Sequence, residues 1–551
     1  MADTHTRSPN SSPSIGTIIS TEESPSTGEF SFVVDGNTNN AVKKGQYVQV
    51  QCGKNGQSGK NANNSSENGN ETLFGYINEM FRANRYFERA ESVADYEKEM
   101  PLRENFPTDS WEYTIANVRI LGTHNKTDGH ANGKADENAD KKTREKFGRA
   151  HVPPSPGLKV QLADEKMLKK FLGFEEAGLH IGTLQHHETQ AKIDLTRLFQ
   201  KHVAILAMSG AGKSHLMSVL LEEMLERKKE EGRLAVIVID IHGEYIGFGF
   251  DGKYGANTKT IEGRDVFVPL RKITPEMADE WLPLMSPAQR EVLRHAMHEL
   301  RADKASGTKK SLKALFEKIE NSPVATKEDT KKTLKRILME LRRYRFISVG
   351  KENPKLIEDI KPGKMLVVDL SDTDSMRKKQ IMVSYIARKL FRLRKKGKIP
   401  PFVLVIEEAH NFAREKAEAH EAVSRGIIET IAREGRKFGA SLCLISQRPV
   451  NLSTTALSQC NTHIILRVTN PNDLDHIQMS SEGIDSRIAK SITGLQVGEA
   501  IIVGAATNHP IFVNVRDRKS QKREKGKPLH EQAIEFEMQE EKKKGDVEAF
   551  L

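Results

Sequence analysis

Runs of apolar residues alternate with amphipathic segments through most of the second half of the chain. Six of these runs have the length of buried strands. Continuous apolar strands that alternate with helices are typical of a mostly parallel sheet with helices packed on its faces. The predicted strands span residues 202–208, 234–240, 364–370, 402–408, 441–446 and 462–468. We therefore predict an α/β fold for this region.

The hydrophobic pattern differs on either side of this region and inside it. Residues 274–345 contain no such run but have apolar positions at helical spacing, which predicts a helical insertion. Short segments that alternate between apolar and polar residues predict a small β-barrel over residues 15–165. The sheet region with its insertion is predicted to span residues 184–515.

Four polar segments are predicted to lie outside the packed cores. Residues 1–14 are polar and serine-rich, which predicts a disordered tail. Residues 52–71 and 123–146 are rich in Asn, Gly and Lys and are interpreted as flexible inserts in the barrel. For the highly charged residues 516–551, a helix, a strap over a neighbour and a solvated tail remain open, and a charge run is solvated by default.

Composition adds bounds on size and on partners. A length of 551 residues predicts two or three domains. The mean hydropathy is −0.55, the net charge is +10 and the isoelectric point is near 9.1. A basic balance favours a polyanionic partner, nucleic acid before an anionic membrane, and a mildly basic enzyme is the alternative.

Cysteine usage and hydropathy argue against several classes of protein. The three cysteines form no Cys-x-x-Cys pair, which disfavours a disulfide framework and a zinc site. The chain opens without a signal-peptide pattern, and no stretch approaches the roughly 20 apolar residues of a membrane helix. We expect a cytoplasmic protein without membrane contact.

Residues 207–214, AMSGAGKS, come close to the phosphate-binding pattern G-x-x-x-x-G-K-[ST]. Gly212, Lys213 and Ser214 fit, whereas Ala207 replaces the first glycine. A predicted strand precedes the motif and an amphipathic helix follows it, so backbone amides at a helix N-terminus can bind phosphates. Lys213 is predicted to contact the β- and γ-phosphates of ATP, and the Ser214 hydroxyl to bind Mg²⁺.

The departure at the first motif position leaves two readings open. Ala207 is expected to be tolerated if its φ is negative, and a glycine-rich turn without a ligand is the alternative. The residues predicted to bind the nucleotide are Ser209, Gly210, Ala211, Gly212, Lys213, Ser214 and His215.

Two adjacent carboxylates, Glu407 and Glu408, end the apolar run FVLVIEE. Carboxylates after a buried strand are costly unless they face a metal or water. Neighbouring side chains point in different directions, so we assign Glu407 to the Mg²⁺ side and Glu408 to the attacking water. A solvated pair at a helix cap is the alternative. Gln447, at the end of SLCLIS, is predicted to contact the γ-phosphate or the lytic water, or is only a polar turn residue.

These motifs resemble the HerA family of hexameric DNA translocases, within the HerA/FtsK group of P-loop ATPases. The resemblance covers about residues 185–515. It rests on DIHGEY (240–245), IEEAHN (406–411), IAREGRKFGASLCLISQRP (431–449) and LSQCNTHIILRVTNPND (457–473). It implies a RecA-like ATPase domain with a helical insertion after a small β-barrel, and ATP and Mg²⁺ as ligands. The two Asn-rich inserts depart from the family pattern.

The resemblance also implies residue roles and an assembly. A homo-hexameric ring would hold each ATP between two subunits. Arg433 or Arg436, three residues apart on one face of a predicted helix, would then act in trans on the γ-phosphoryl group. Surface arginines paired with Glu429 or Glu434 are the alternative. Asp240 is expected to support Mg²⁺ or its water.

By this resemblance, the leading hypothesis is an ATP-driven double-stranded DNA translocase or helicase. Its contacts would be to DNA phosphates. A NurA-type nuclease would dock on the N-terminal barrel, and the pair would resect DNA ends during recombinational repair. The alternatives are a HerA-like motor of a conjugation or anti-phage defence system, and a slow nucleotide-dependent assembly scaffold. Only Ala207 and Glu407 favour the scaffold.

Overall fold

The chain is described here by a computed structural model, which separates into two compact units. The described residues are 13–21, 24–38, 41–52, 71–84, 87, 111–127, 144–302, 311–324, 328–416, 422–481, 483–522 and 529–548. Unit 1 comprises Met1–Arg197 and Glu499–Arg516, and unit 2 comprises Leu198–Gly498 and Asp517–Leu551. Most of the predicted N-terminal tail, and the centres of both predicted inserts (53–70 and 128–143), lie outside the described residues.

Unit 1 contains the predicted β-barrel. Its strands are β1 Ser14–Ile19, β2 Glu29–Val34, β3 Tyr47–Cys52, β4 Glu71–Asn84, β5 Glu112–Thr127, β6 Arg144–Gly148 and β7 Lys159–Leu162. The order β2-β1-β7-β3-β4-β5 closes because β5 also pairs with β2, and β6 extends from β5. Closure pairs both edges of the six barrel strands, and alternate side chains, among them Phe30, Phe32 and Val48, fill the interior.

A second group of antiparallel strands completes unit 1. Its elements are α1 Glu165–Leu172, β8 Phe174–Leu184, β9 Gln190–Ile193, α2 Leu195–Phe199, β19 Glu499–Gly504 and β20 Ile511–Val515, with strand order β19-β20-β8-β9. Helix α2 ends just inside unit 2. Residues 184–197 and 499–515, which the sequence analysis includes in the sheet region, thus lie in unit 1, where β8 pairs with β20 and Val513 lies opposite Leu184.

The second polar insert is shorter than the predicted range 123–146. Strand β5 continues to Thr127 and β6 begins at Arg144, and the two strands pair with Thr123 opposite Gly148. The β5–β6 pair was not predicted because both strands carry polar side chains. Strands pair through their backbones, which does not require apolar residues.

Unit 2 is built on a parallel sheet. Its strands are β10 His202–Leu206, β11 Ala235–Asp240, β12 Thr258–Glu262, β15 Met365–Asp369, β16 Phe402–Ile406, β17 Ala440–Ser446 and β18 Cys460–Ile465, in the order β12-β15-β11-β16-β17-β10-β18. Every residue of β10, β11 and β16 is buried, as expected for strands covered on both faces. The six predicted strands are confirmed, and the fold class with them, whereas β12 was not predicted.

Helices surround the sheet of unit 2. They are α3 Lys213–Glu226, α4 Gly247–Phe250, α5 Pro275–Trp281, α6 Pro287–Ala302, α7 Leu312–Glu320, α8 Glu328–Arg343, α9 Leu356–Asp359, α10 Met376–Lys395, α11 Arg425–Glu434, α12 Thr454–Ser458, α13 Pro471–Ser480, α14 Ser486–Thr493 and α15 Leu529–Glu548. Helices α5 to α8 occupy the predicted insertion. A short parallel pair, β13 Val268–Pro269 and β14 Ile347–Ser348, joins its two ends.

The parallel strands bring distant sequence motifs together. In such a sheet, ligands bind at the edge formed by the carboxyl ends of the strands. The glycine-rich loop follows β10, the carboxylate pair follows β16, and Gln447 follows β17. No helix in the described ranges combines the length and apolar character that crossing a membrane requires.

Candidate ATPase site

The glycine-rich loop between β10 and α3 has the backbone of a phosphate-binding loop. Gly210 has φ 79° and Gly212 has φ 101°, a left-handed conformation that favours glycine. Ser209 and Gly210 are exposed at its tip, whereas Ala211 is buried. The first amides of α3 have no partner inside the helix, so they are available to an anion.

Ala207 does not disturb this loop. Its φ is outside the positive range, and its amide donates to the Ser446 carbonyl at 3.2 Å, which extends the β10–β17 pairing by one residue. The methyl group is fully buried. Alanine at this position was expected to be tolerated if its φ is not positive, and this is the case. Ala207 therefore does not favour the assembly scaffold.

Lys213 lies between the two predicted carboxylates. Its Nζ is 2.9 Å from Glu408 Oε1 and 3.3 Å from Glu407 Oε1, and all three side chains are almost completely buried. Burial alone would lower the pKa of Lys213, but the two carboxylates outweigh burial and raise it. The lysine is therefore held charged where its motif predicts phosphate contact. His215 and Ser214 lie half-buried on the same first turn of α3.

Glu408 is held in an unusual backbone conformation. Its φ of 46° and ψ of 48° lie in the left-handed region, which costs a residue with a β-carbon about 1 kcal/mol. Its Oε1 also accepts a hydrogen bond from Gln447 Nε2 at 2.5 Å. Its Oε2 lies 3.4 Å from His410 Nδ1. Strain of this kind concentrates at functional sites, and here it turns the carboxylate towards Lys213 and Gln447.

Glu407 and Asp240 are adjacent but bonded differently. Glu407 is fully buried, and its Oε2 accepts from the Ile241 amide at 3.1 Å. Asp240 accepts from the amides of His242, Glu244 and Tyr245 at 3.2, 3.1 and 2.8 Å, so it holds the DIHGEY turn together. Burial, and next the charge of Glu407, raise the pKa of Asp240 well above its usual value. Three amides thus hold the Asp240 carboxyl in place beside Glu407.

The donor set at this edge fits Mg²⁺. This ion prefers oxygen ligands and is usually held by one or two carboxylates together with water and substrate phosphates. The Ser214 hydroxyl and Glu407 supply such oxygens, with Asp240 behind Glu407. Over the described ranges, no group of three or more His, Cys, Asp or Glu side chains is arranged to hold a metal by itself.

The two predicted trans arginines lie at the opposite edge of the sheet. Arg433 is in the last turn of α11, Arg436 follows it, and β17 starts at Ala440. The seven residues of β17 separate them from Gln447 by roughly 20 Å, so they do not reach the loop of their own chain.

The predicted acidic partners of these arginines are engaged elsewhere. Glu429 is bonded by Arg425 at 2.7 Å and Ser453 at 2.6 Å, and Glu434 is bonded by Lys395 at 2.7 Å. Arg433 and Arg436 are exposed and form no ion pair with any residue that the structure describes. The charge of Arg433 nevertheless helps to lower the pKa of both Glu429 and Glu434, so surface pairing remains an alternative for Arg433.

Two features of the site go beyond the sequence analysis, in which His410 was expected only to pack or to form hydrogen bonds. His410 Nδ1 lies 3.1 Å from Ser446 Oγ as well as near Glu408, so it links the ends of β16 and β17. The amide of Ile241 holds Glu407. The motif IEEAHN contained the first signal, because a histidine two residues after a strand-end carboxylate lies within reach of it. A backbone amide leaves no sequence signal.

Comparison with known proteins identifies a matching family and several relatives. Residues 179–390 match the family described as "Helicase HerA, central domain". A probable helicase of Methanocaldococcus jannaschii is 31% identical over 464 residues, covering 80% of this chain and 83% of that protein. The DNA double-strand break repair helicase HerA of Pyrococcus furiosus is 30% identical over 458 residues, covering 73% of this chain and 78% of that protein. The solved structure of VirB4 of Thermoanaerobacter pseudethanolicus shares 16% identity and covers 63% of this chain and 98% of that chain, with a TM-score of 0.49.

Proposed function

This chain belongs to the HerA family of helicases, whose members hydrolyse ATP, and we propose that it is a motor that moves along double-stranded DNA. The observation that carries the proposal is the buried cluster of Lys213, Glu407, Glu408 and Gln447 around the phosphate-binding loop. Its parts come from three separate strands. A site that only binds nucleotide has no need of a strained carboxylate aimed at it.

Each side chain has a distinct task in the proposed reaction. The loop amides and Lys213 bind and orient the phosphates of ATP. Glu408 orients and polarises the attacking water, and Gln447, which donates to Glu408, responds to the γ-phosphate. Ser214 and Glu407 would hold Mg²⁺, which neutralises phosphate charge when it is bound. Asp240 fixes the turn beside Glu407.

The proposed assembly is a ring of six copies. Arg433 and Arg436 are too far from the site of their own chain, are exposed, and form no ion pair among the described residues. An arginine in trans stabilises the charge that develops on the γ-phosphoryl group. We expect one of the two to complete the nucleotide site of the next subunit.

The proposed substrate is duplex DNA, contacted through its phosphates. The support is the net charge of +10 and the double-strand break repair helicase named among the relatives. We further propose, from family resemblance alone, that a NurA-type nuclease docks on the barrel of unit 1 and that the pair resects DNA ends.

ATP hydrolysis with and without linear duplex DNA tests the proposal, for the wild type and Glu408→Gln. We expect DNA to stimulate turnover and the substitution to abolish it while ATP binding persists. Turnover that ignores duplex DNA at low salt would contradict the DNA motor. Nucleotide binding without turnover in the wild type would favour the assembly scaffold instead.

A further inference from the structure

His202 joins the phosphate-loop strand to the segment that carries the two exposed arginines. It is the first residue of β10, and its Nε2 lies 2.8 Å from the carbonyl of Ala432, the residue before Arg433. Its Nδ1 accepts a hydrogen bond from the Leu442 amide at 3.0 Å. An amide only donates and a carbonyl only accepts, so the ring proton is on Nε2 and both ring nitrogens are used.

The segment after Arg433 is packed tightly against the same imidazole. A β-carbon built on Gly435 would lie 3.2 Å from His202 Cε1 and 2.2 Å from the Ala440 carbonyl, so only glycine fits there. Next to it, Ser441 Oγ donates to the Lys201 carbonyl at 2.7 Å. The imidazole thus fixes the backbone before and after Arg433 relative to the amino ends of β10 and β17.

We propose that His202 is a positioning residue for the trans arginines. The proposal rests on the proposed function, in which Arg433 or Arg436 acts on ATP bound by the next subunit. In this arrangement β10 has a functional group at each end. Its carboxyl end leads into the phosphate loop of its own chain, and its amino end holds the segment that serves the neighbour.

The geometry gives the reason why a histidine is suited to this position. An arginine finger has to be placed to a fraction of an ångström to stabilise developing charge, so its backbone has to be fixed. The last carbonyls of a helix lack partners inside the helix. His202 provides a hydrogen-bond donor for one of them, the carbonyl of Ala432 next to Arg433. A leucine of similar size would fill the space and leave Ala432 and Leu442 without these bonds.

Mixing inactive subunits tests the proposal. Lys213→Ala subunits have a defective phosphate loop and intact arginines. His202→Leu subunits are predicted to have an intact loop and misplaced arginines. In a randomly mixed ring, each His202→Leu site that is followed by a Lys213→Ala subunit regains its arginine. When the two variants are mixed in equal amounts, we expect the ATPase rate to exceed the sum of the separate rates and to approach about a quarter of the wild-type rate, because about a quarter of the sites combine an intact loop with an intact arginine.

Two further mixtures identify which idea fails. Arg433→Ala/Arg436→Ala mixed with Lys213→Ala tests the trans arginine alone, and no gain there would overturn the part of the proposed function in which an arginine acts on the ATP of the next subunit. Gain there without gain for His202→Leu would overturn only the role of His202. Glu408→Gln mixed with Lys213→Ala is the negative control, because both defects affect the same chain's loop.

A conservative variant covers the case in which His202→Leu does not fold. The amide of His202→Gln can still donate to Ala432. We expect His202→Gln to keep most of the wild-type kcat with an unchanged KM for ATP, and His202→Leu to lose at least tenfold in kcat. A rise in KM with unchanged kcat would place the defect in ATP binding and contradict the proposal.

Discussion

Lys213 and Glu408 form a buried ion pair, with Nζ 2.9 Å from Oε1, between the loop that is proposed to bind ATP phosphates and the end of β16. To contact a phosphate, the ammonium group has to exchange carboxylate oxygen for phosphate oxygen. Glu408 is then released from the lysine and keeps the hydrogen bond from Gln447. The ion pair therefore links nucleotide binding to the state of the proposed catalytic carboxylate.

Lys213→Met is expected to destabilise the nucleotide-free protein by about 3 kcal/mol, because removing one partner leaves buried carboxylates without a cation. Urea unfolding measures the loss. Lys229→Met, which removes an exposed lysine, is the matched control and should change stability little. Equal stability of the two variants would show that the buried pair contributes nothing.

Glu408→Gly is expected to be about 1 kcal/mol more stable than Glu408→Ala, because only glycine adopts a φ of 46° without strain. Both variants lack the carboxylate, so the comparison isolates the backbone. Neither should hydrolyse ATP. Thermal or urea unfolding gives the difference, and an alanine variant that is as stable as the glycine variant would contradict the strain.

His202 is expected to make stability depend on pH. Burial lowers its pKa from 6.5 to about 4. Between these values the unfolded chain binds a proton that the folded chain does not, so this stability is complete above pH 6.5 and is lost as the pH falls towards 4. The wild type should lose about 2 kcal/mol through His202 between about pH 7.5 and about pH 5.

His202→Gln removes this contribution, so its loss over the same range should be about 2 kcal/mol smaller. Urea unfolding at the two pH values gives the comparison. His463→Gln is the matched control, because burial lowers the pKa of His463 to about 4 as well and its removal should flatten the curve similarly. Identical pH dependence in the wild type and His202→Gln would refute the prediction.

Glu222 anchors the start of the C-terminal tail to the phosphate-loop helix. It is fully buried on α3, and its Oε1 accepts from the Lys519 amide, the Ser520 amide and Ser520 Oγ at 2.8, 2.8 and 2.7 Å. We expect Glu222→Leu to release this segment and to speed trypsin cleavage at Arg518 and Lys519.

Limited proteolysis with mass spectrometry tests the anchor. Ser520→Ala removes one of the three bonds to Glu222 and also the hydroxyl that accepts from Arg518, so it should lose about 1 to 2 kcal/mol and be cleaved at an intermediate rate. Cleavage of Glu222→Leu at the wild-type rate would show that other contacts hold the segment.

The parallel sheet and the composition of its site were predictable from the sequence. Strands that are buried on both faces have unbroken apolar sequences. The carboxyl ends of parallel strands lie at one edge of the sheet whatever the order of the strands. That is why Lys213, Glu408 and Gln447 were expected together although they lie far apart in the chain. The roles assigned to these residues stay predictions until the variants are measured.

Other features depend on information that side-chain patterns do not carry. Strand β8 is paired with β20 across more than 300 residues, and neither segment encodes its partner, so the unit boundary was misplaced. For the charged tail a helix, a strap and a solvated segment were left open: Leu529–Glu548 is a helix that is exposed over residues 529–540, whereas the amides of Lys519 and Ser520 bind Glu222. An acidic residue within the apolar run LMSVLLEEM was the available signal, because a buried carboxylate needs donors. The hydrogen bond from His202 to the Ala432 carbonyl could not be predicted either, because a backbone carbonyl leaves no signal in the sequence.

Displacement of a third strand from a linear DNA triplex tests the central claim most directly, because a protein that moves along the duplex removes the third strand without having to unwind it. We expect the wild type to release the third strand only with ATP and Mg²⁺, and Glu408→Gln to bind the DNA without releasing it. Hydrolysis that duplex DNA stimulates but that releases no third strand would contradict a DNA translocase.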